Sequence, residues 1–254
     1  MSDLSPWRVE WLRLVRTRRL IALFGAFLFF SFTGPLLAAY LPDLVKRSAN
    51  SGLKIIAPPP VPADGIQGYA DNALLIGLIV LVVVAASACA VDARPALSIF
   101  YRTRAGAFWQ LLLPRVVVTT CAGVAAYVLG SLIAWYETGV LIGAPDAGAI
   151  AESAELVSAY LVFAVAAAAA ASTLMHSTSG TAICAIALVL LTQVVSAVPQ
   201  LTEWTPYGLT GAPNSLVRHT SPFHHYDRAL IVCAVAVIGL IAAAVLLGSR
   251  REVN

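Results

Sequence analysis

The residues whose types and spacing could do chemistry lie near the C-terminal end of the sequence. They are His219, His224, His225 and Asp227. Two imidazoles and a carboxylate at this spacing could meet around one ion, and nitrogen and carboxylate ligands suit zinc or copper. The alternative is a loop whose aromatic and histidine side chains only favour an interface. The four residues therefore stand as a metal hypothesis beside that plainer alternative.

A second polar feature is Gln193, which lies inside a long apolar run with Ser196 one helical turn further on. An amide in an apolar medium must find a hydrogen-bond partner. Gln193 could line a cavity, or it could bond to a neighbouring helix, which is the commoner case.

The amino-acid composition indicates the class of protein in which these residues lie. Of 254 residues, 59% are hydrophobic and only 11% are charged, and the mean hydropathy is +0.84. Soluble domains carry about 25% charged residues, so a soluble enzyme, a secreted disulfide scaffold and a disordered linker are excluded. The net charge of +3 does not suggest a nucleic-acid partner. Alanine abundance, and two lysines against fourteen arginines, are typical of a bacterium with a GC-rich genome.

Runs of about 20 apolar residues predict membrane-spanning helices. We expect an all-α polytopic membrane protein, a single transmembrane domain over residues 1–254, with six spans. The predicted spans cover residues 20–41, 72–91, 112–135, 156–175, 181–199 and 229–248.

The distribution of arginine and lysine predicts the orientation, because cytoplasmic loops are enriched in basic residues. With a cytoplasmic N-terminus, the inner side holds eleven basic residues and the outer side five. The outer five are Lys46, Arg47, Lys54, Arg218 and Arg228. We therefore expect both termini in the cytoplasm and the chain in the bacterial cytoplasmic membrane.

Residues 6–19 predict an amphipathic helix at the membrane surface. Trp7 and Trp11 fall on one stripe, while Arg13 and Arg16 are expected to face away from it. Tryptophan opposite arginine is typical of a helix in the headgroup plane, and the two tryptophans would be its anchors. The alternative is an ordinary basic flank that only sets the orientation.

Two outer loops are informative. Residues 42–71 contain a proline run, residues 58–62, that favours extended polyproline geometry. Residues 200–228 are rich in aromatic residues and proline, and could return into the membrane as a re-entrant segment if protein buries them.

The inner loop, residues 92–110, combines aromatic and basic residues. Its candidate contact residues are Asp92, Arg94, Phe100, Tyr101, Arg102 and Arg104. Exposed aromatic residues surrounded by arginine are typical of a protein contact. Packing against the chain's own helices is the alternative.

The sequence lacks residues that several classes of membrane protein and enzyme need. Ion-coupled carriers place titratable groups near mid-membrane, whereas Arg115 and Glu137 are expected at span ends, within reach of water. No His-Glu-x-x-His motif and no Gly-Lys-Ser/Thr phosphate loop occurs in the sequence. We therefore expect no enzyme activity and no cofactor bound by this chain.

The layout resembles the permease subunits of type-2 ATP-binding-cassette exporters. The resemblance covers the whole chain in outline and is sharpest over residues 99–115, IFYRTRAGAFWQLLLPR. In that family a hydrophobic run, a threonine-containing turn and a basic residue lead into span 3, and here the basic residue is Arg115. The Glu-Ala-Ala loop of importers is missing, which favours export.

The resemblance implies a set of partners and roles. Two ATPase subunits, which bind ATP and Mg, would dock on the inner loop, and a second copy or a sister permease would complete the pathway. Spans 2 and 5 would face the cavity, which points to Ser87, Gln193 and Ser196. A pathway without fixed charges favours a hydrophobic or amphipathic substrate. A non-transporting membrane scaffold or assembly factor with the same layout is the alternative.

Overall fold

A computed structural model describes residues 5–48, 59–90 and 108–250, and the regular structure in these ranges is helical throughout. Six helices are long and apolar enough to cross a membrane. We number them as span 1 (Arg19–Pro42), span 2 (Pro62–Cys89), span 3 (Phe108–Leu141), span 4 (Ala147–Leu174), span 5 (Thr178–Ser196) and span 6 (Phe223–Ser249). The predicted all-α fold with six membrane-spanning helices is confirmed.

The bundle has two ends that differ in what covers them. The N-terminal helix, Pro6–Arg16, lies at one end, which we call the N-terminal end. Short helices at Pro199–Thr202, Pro206–Gly211 and Ala212–Val217 form a cap over the other, the cap end. Span 6 ends beside the start of span 3, because Gly248 packs directly on the ring of Phe108. The side of the membrane on which each end lies stays a prediction.

Spans 2, 3 and 4 extend further towards the cap end than the sequence predicted. Span 2 begins at Pro62 instead of residue 72, and span 4 begins at Ala147 instead of residue 156. Both starts are stabilised by aspartate: Val61 N donates to Asp64 Oδ2 at 3.0 Å, and Gly148 N donates to Asp146 Oδ1 at 2.9 Å. The last proline of the predicted extended run is thus the first helical residue, a position that proline favours.

Span 4 is the central helix of the bundle. In the apolar 18-residue stretch of this helix, 83% is buried inside the protein, whereas in the corresponding stretch of span 6 only 11% is buried. It packs against spans 2, 3, 5 and 6. Its run of six alanines, Ala166 to Ala171, is buried throughout, because small side chains let neighbouring helices approach closely in a membrane.

A close helix crossing joins span 1 to span 2. An ideal Cβ on Gly34 would lie 2.5 Å from the backbone nitrogen of Tyr69, so only glycine fits. The Tyr69 side chain is buried beyond this crossing. Its hydroxyl donates to the carbonyl oxygen of Tyr127 at 2.8 Å, and the two rings stack with centroids 5.6 Å apart. The crossing therefore orients span 2 against both span 1 and span 3.

Candidate functional site

A groove of about 290 Å³ opens between span 2 and span 5 towards the cap end. Tyr160 of span 4 and Tyr207 of the cap complete its lining, with ring centroids 6.2 Å apart in an edge-to-face arrangement. Aliphatic side chains form most of its walls: Leu74, Leu75, Leu78, Ile79, Val82, Ile186, Val189 and Leu190. The groove could therefore hold an apolar or amphipathic molecule.

The polar groups of the groove are few. Gln193 lies on the span 5 wall, Asp71 on the span 2 wall, and Thr210 contributes from the cap. Asp71 is the tenth residue of span 2, about 14 Å along the helix axis from its start. The apolar pattern predicts the start of span 2 at residue 72, which leaves Asp71 in the outer loop. A carboxylate in a membrane-spanning helix is costly unless it faces protein or water, and Asp71 is exposed on the wall of the groove, which makes it a candidate functional group.

The three predicted pathway residues do not lie together. Gln193 lines the groove, while Ser196 is one turn nearer the cap and donates to the Gln193 carbonyl oxygen at 2.7 Å. Ser87 lies at the other end of span 2, about 24 Å from Asp71 along the helix at 1.5 Å per residue. Its carbonyl oxygen accepts a hydrogen bond from Arg13 at 3.3 Å. Of the three, Gln193 alone belongs to the groove.

The span 2 wall contains a π-helical segment, Ala73–Gly77. Such segments occur mostly as single turns inside α-helices and are frequent at functional sites. Here the wider turn places Leu74 and Leu75 in the groove, while Gly77 packs against the ring of Phe27 in span 1. The irregular turn is thus packed on one side and open to the groove on the other.

A charge network holds the N-terminal helix to the bundle. Arg115 Nε donates to Glu10 Oε1 at 3.0 Å, and Arg115 Nη1 donates to the carbonyl oxygen of Ala88 at 3.2 Å. The side chains of Arg115 and Glu10 are only 3% and 11% exposed. The expectation that water reaches Arg115 was therefore wrong, because the N-terminal helix covers it. Glu137, which was also expected within reach of water, is half-buried, and its buried Oε2 has no hydrogen-bond partner among the described residues.

The same charge network supplies hydrogen-bond donors to the end of span 2. The last carbonyl groups of a helix have no partner within it and need donors from elsewhere. Arg13 and Arg115 supply them at Ser87 and Ala88. Arg13 therefore points towards the bundle, on a different side of the N-terminal helix from the exposed tryptophans. Trp7 and Trp11 are 44% and 49% exposed, on a face of the N-terminal helix that the bundle leaves open.

The cap is joined to the spans by two ion pairs. Arg218 pairs with Asp64 at the start of span 2, and Arg228 pairs with Glu203 at 3.1 Å. The Arg228 guanidinium also lies 5.6 Å from the ring centroid of Trp204. Pro206, Leu209 and Leu216 are buried, so the predicted outer loop is a folded cover over the bundle.

The histidine cluster does not form a metal site. His219, His224, His225 and Asp227 are all exposed. Within the described ranges, no group of three or more His, Cys, Asp or Glu side chains could hold a metal ion. The metal hypothesis was wrong because these residues are distributed over the turn after Ala212–Val217, the 3-10 turn that opens span 6 and the α-helix that follows that turn.

The predicted coupling residues lie outside the described residues. They are Asp92, Arg94, Phe100, Tyr101, Arg102 and Arg104. The two elements that flank them are described, and both reach the charge network at the N-terminal end: span 2 through Ser87 and Ala88, and span 3 through Arg115.

Comparison with known proteins identifies a distant relative. The chain is 21% identical over 213 residues to YxlG, an uncharacterized transmembrane protein of Bacillus subtilis (strain 168), and the match covers 83% of each chain. The chain is a membrane protein with several transmembrane helices. Neither a family model nor a solved structure matches it.

Sequence reasoning missed Asp71 and Glu10 as residues of interest. One signal could have placed Asp71 on a helix: Pro62 followed by Asp64 is a helix-start pattern, and it puts Asp71 well inside span 2. Glu10 offered no such signal, since its partner Arg115 is 105 residues away in the sequence.

Proposed function

We propose that the chain is the permease subunit of a type-2 ATP-binding-cassette exporter in a bacterial cytoplasmic membrane. In this proposal it pairs with a second copy or a sister permease. Two separate ATPase subunits, which bind ATP and Mg, dock at the N-terminal end. The six-span fold, the distribution of arginine and the resemblance of residues 99–115 all support this assignment.

The observation that carries the proposal is the charge network around the predicted coupling loop. Glu10, Arg13 and Arg115 tie the N-terminal helix to the end of span 2 and the start of span 3. A partner that moved the loop would move these helix ends as one unit. Because span 2 also forms a wall of the groove, such a movement would reach the place where we expect the substrate.

The groove supports the transport role and the choice of substrate. The family resemblance expects spans 2 and 5 at the pathway, and the groove lies between these two helices. Its aliphatic and aromatic lining suits a hydrophobic or amphipathic molecule. Span 5 also presents exposed apolar side chains beside the groove, with Ile183 and Val194 at 69% and 68% exposure, which leaves room for lipid or for a second permease.

The Phe100→Ala variant tests the docking of the ATPase subunits. Loss of an aromatic anchor at an interface commonly costs about 2 kcal/mol, which weakens binding about 30-fold. We expect this variant to lose co-purifying ATPase or substrate-stimulated hydrolysis, and Arg102→Ala to lose much less because a rim charge contributes little to affinity. The measurement is ATPase stoichiometry in the detergent-purified complex.

Trp11→Ala is the control for this experiment. Trp11 is exposed on the N-terminal helix, so its loss should weaken the contact of this helix with the membrane surface and leave ATPase stoichiometry unchanged. Unchanged stoichiometry and stimulation in Phe100→Ala would contradict the docking assignment. Failure to find any ATPase that binds the wild-type chain would favour the scaffold alternative.

The Gln193→Leu variant tests the groove. The Gln193 side chain makes no hydrogen bond with the described residues, so leucine leaves no buried partner unpaired. We expect folded yield to stay near wild type. One lost hydrogen bond should shift the substrate concentration for half-maximal ATPase stimulation about 2- to 10-fold. A collapse in yield would mean that Gln193 holds helices together instead.

A further inference from the structure

We propose that the groove between spans 2 and 5 binds an organic cation with an apolar body, and that the Asp71 carboxylate holds its charge. The inference rests on the proposed permease function and specifies the substrate class. It differs from the expectation of a pathway without fixed charge, because the structure puts Asp71 within span 2 and in the groove wall.

The charge of the groove favours a cation. Asp71 is the one ionisable carboxylate, and no lysine, arginine or histidine is among the described residues that line the groove. No described lysine or arginine forms an ion pair with it. An unpaired carboxylate within a membrane-spanning helix is unfavourable, so a bound cation would offset part of that cost.

The aromatic lining favours a cation as well. Tyr160 and Tyr207 meet edge to face in the groove. The face of a tyrosine ring attracts an organic cation, and this attraction strengthens when both groups are removed from water. Gln193 adds an amide on the facing wall. An anion would meet the Asp71 carboxylate instead.

The volume and the lining of the groove indicate the size and polarity of the part of the ligand that surrounds the charge. A volume of about 290 Å³ is near the lower limit of typical ligand pockets, about 300–1,000 Å³. The aliphatic side chains of spans 2 and 5 offer no hydrogen bonds. The geometry therefore suits a cation whose charge is surrounded by apolar groups, and because the groove is open on one side, part of the ligand can lie outside it.

Tetraphenylphosphonium and tetraphenylborate provide a matched test, because they have the same shape and opposite charge. Binding to the detergent-purified full chain would be measured by equilibrium dialysis. We expect wild type to bind tetraphenylphosphonium at least tenfold more tightly than tetraphenylborate, after subtraction of the partitioning into detergent alone. Asp71→Asn should weaken binding of the cation about tenfold, which corresponds to 1.4 kcal/mol, and Asp71→Glu should largely restore it.

Asp64→Asn is the control variant. Asp64 lies on the same helix, seven residues before Asp71, but it pairs with Arg218 of the cap and does not line the groove. Its loss should leave binding of the cation unchanged. Equal binding of the two ions by wild type, no detectable binding of the cation, or equal effects of Asp64→Asn and Asp71→Asn would each overturn the inference.

These outcomes separate the inference from the proposed function. Charge-selective binding that depends on Asp71, in a chain that recruits no ATPase, would retain the cation site and contradict the exporter. A chain that recruits ATPase through Phe100 but binds both ions equally would retain the exporter and overturn the cation site.

Discussion

Gly34→Ala should strongly destabilise the protein, although it adds one methyl group. The added Cβ would lie 2.5 Å from the backbone nitrogen of Tyr69 and 2.8 Å from the carbonyl carbon of Gly68. Backbone atoms cannot rotate away as a flexible side chain can, so spans 1 and 2 must separate. Overpacking in a close-packed interior costs about 1–3 kcal/mol, and we expect this variant at the upper end of that range.

Gly25→Ala is the matched control for Gly34→Ala. Both glycines lie in span 1, but nothing lies within 4 Å of a Cβ built at Gly25. Because alanine favours helix over glycine by up to about 1 kcal/mol, Gly25→Ala should be neutral or slightly stabilising. The measurement is the midpoint of thermal aggregation, followed by size-exclusion chromatography in detergent. Equal midpoints for the two variants would show that spans 1 and 2 do not cross at Gly34.

Glu10→Gln should release the N-terminal helix from the bundle. The substitution removes the Glu10 carboxylate from the buried Arg115 guanidinium. Removal of one partner from a buried ion pair costs about 3–5 kcal/mol, and the exposure that Glu10 retains favours the lower value. We expect a large loss of thermal stability and faster proteolysis near the N-terminal helix. Substrate-stimulated ATP hydrolysis should also decrease, if the network couples the loop to span 2.

Two further variants isolate the cause of this effect. In the double variant Glu10→Leu, Arg115→Met, apolar side chains replace the buried ion pair, and Arg13, which also pairs with Glu10, is 31% exposed, so much of the stability should return. Arg228→Gln removes a partner from an ion pair whose side chains are 63% and 41% exposed, and exposed pairs contribute about 0–1 kcal/mol. If Glu10→Gln proved no more harmful than Arg228→Gln, the N-terminal helix would not be held by Arg115.

The double variant also separates stability from coupling. If it regains thermal stability but its ATP hydrolysis no longer responds to substrate, the ion pair itself transmits the movement between the loop and span 2. If both properties return, docking of the N-terminal helix by any well-packed contact is sufficient.

The candidate site was predictable only where one residue is unusual within its own segment. Gln193 is polar within an apolar run, and it does line the groove. Ser87 shares that local feature with Gln193, yet it lies at the far end of span 2 beneath Arg13. The histidines are close in sequence, but short helices distribute them over an exposed surface. Local spacing therefore identified polar residues and did not identify which of them meet.

What the sequence by itself determined is the number and type of the membrane-spanning elements. Each apolar run of about 20 residues must form a helix in a bilayer, since only a helix satisfies its own backbone hydrogen bonds there. That rule is local, so six spans and the N-terminal helix could be predicted without knowledge of any contact.

The tertiary structure alone decided that Arg115 is buried by Glu10, that Gly34 meets Tyr69, and that Asp71 faces Gln193 across a groove. These pairs join residues that are far apart in sequence, and their meeting depends on how each helix is rotated and how far it extends. The hydrophobic pattern predicts neither the rotation nor the extent of each helix, because the spans are apolar on most sides.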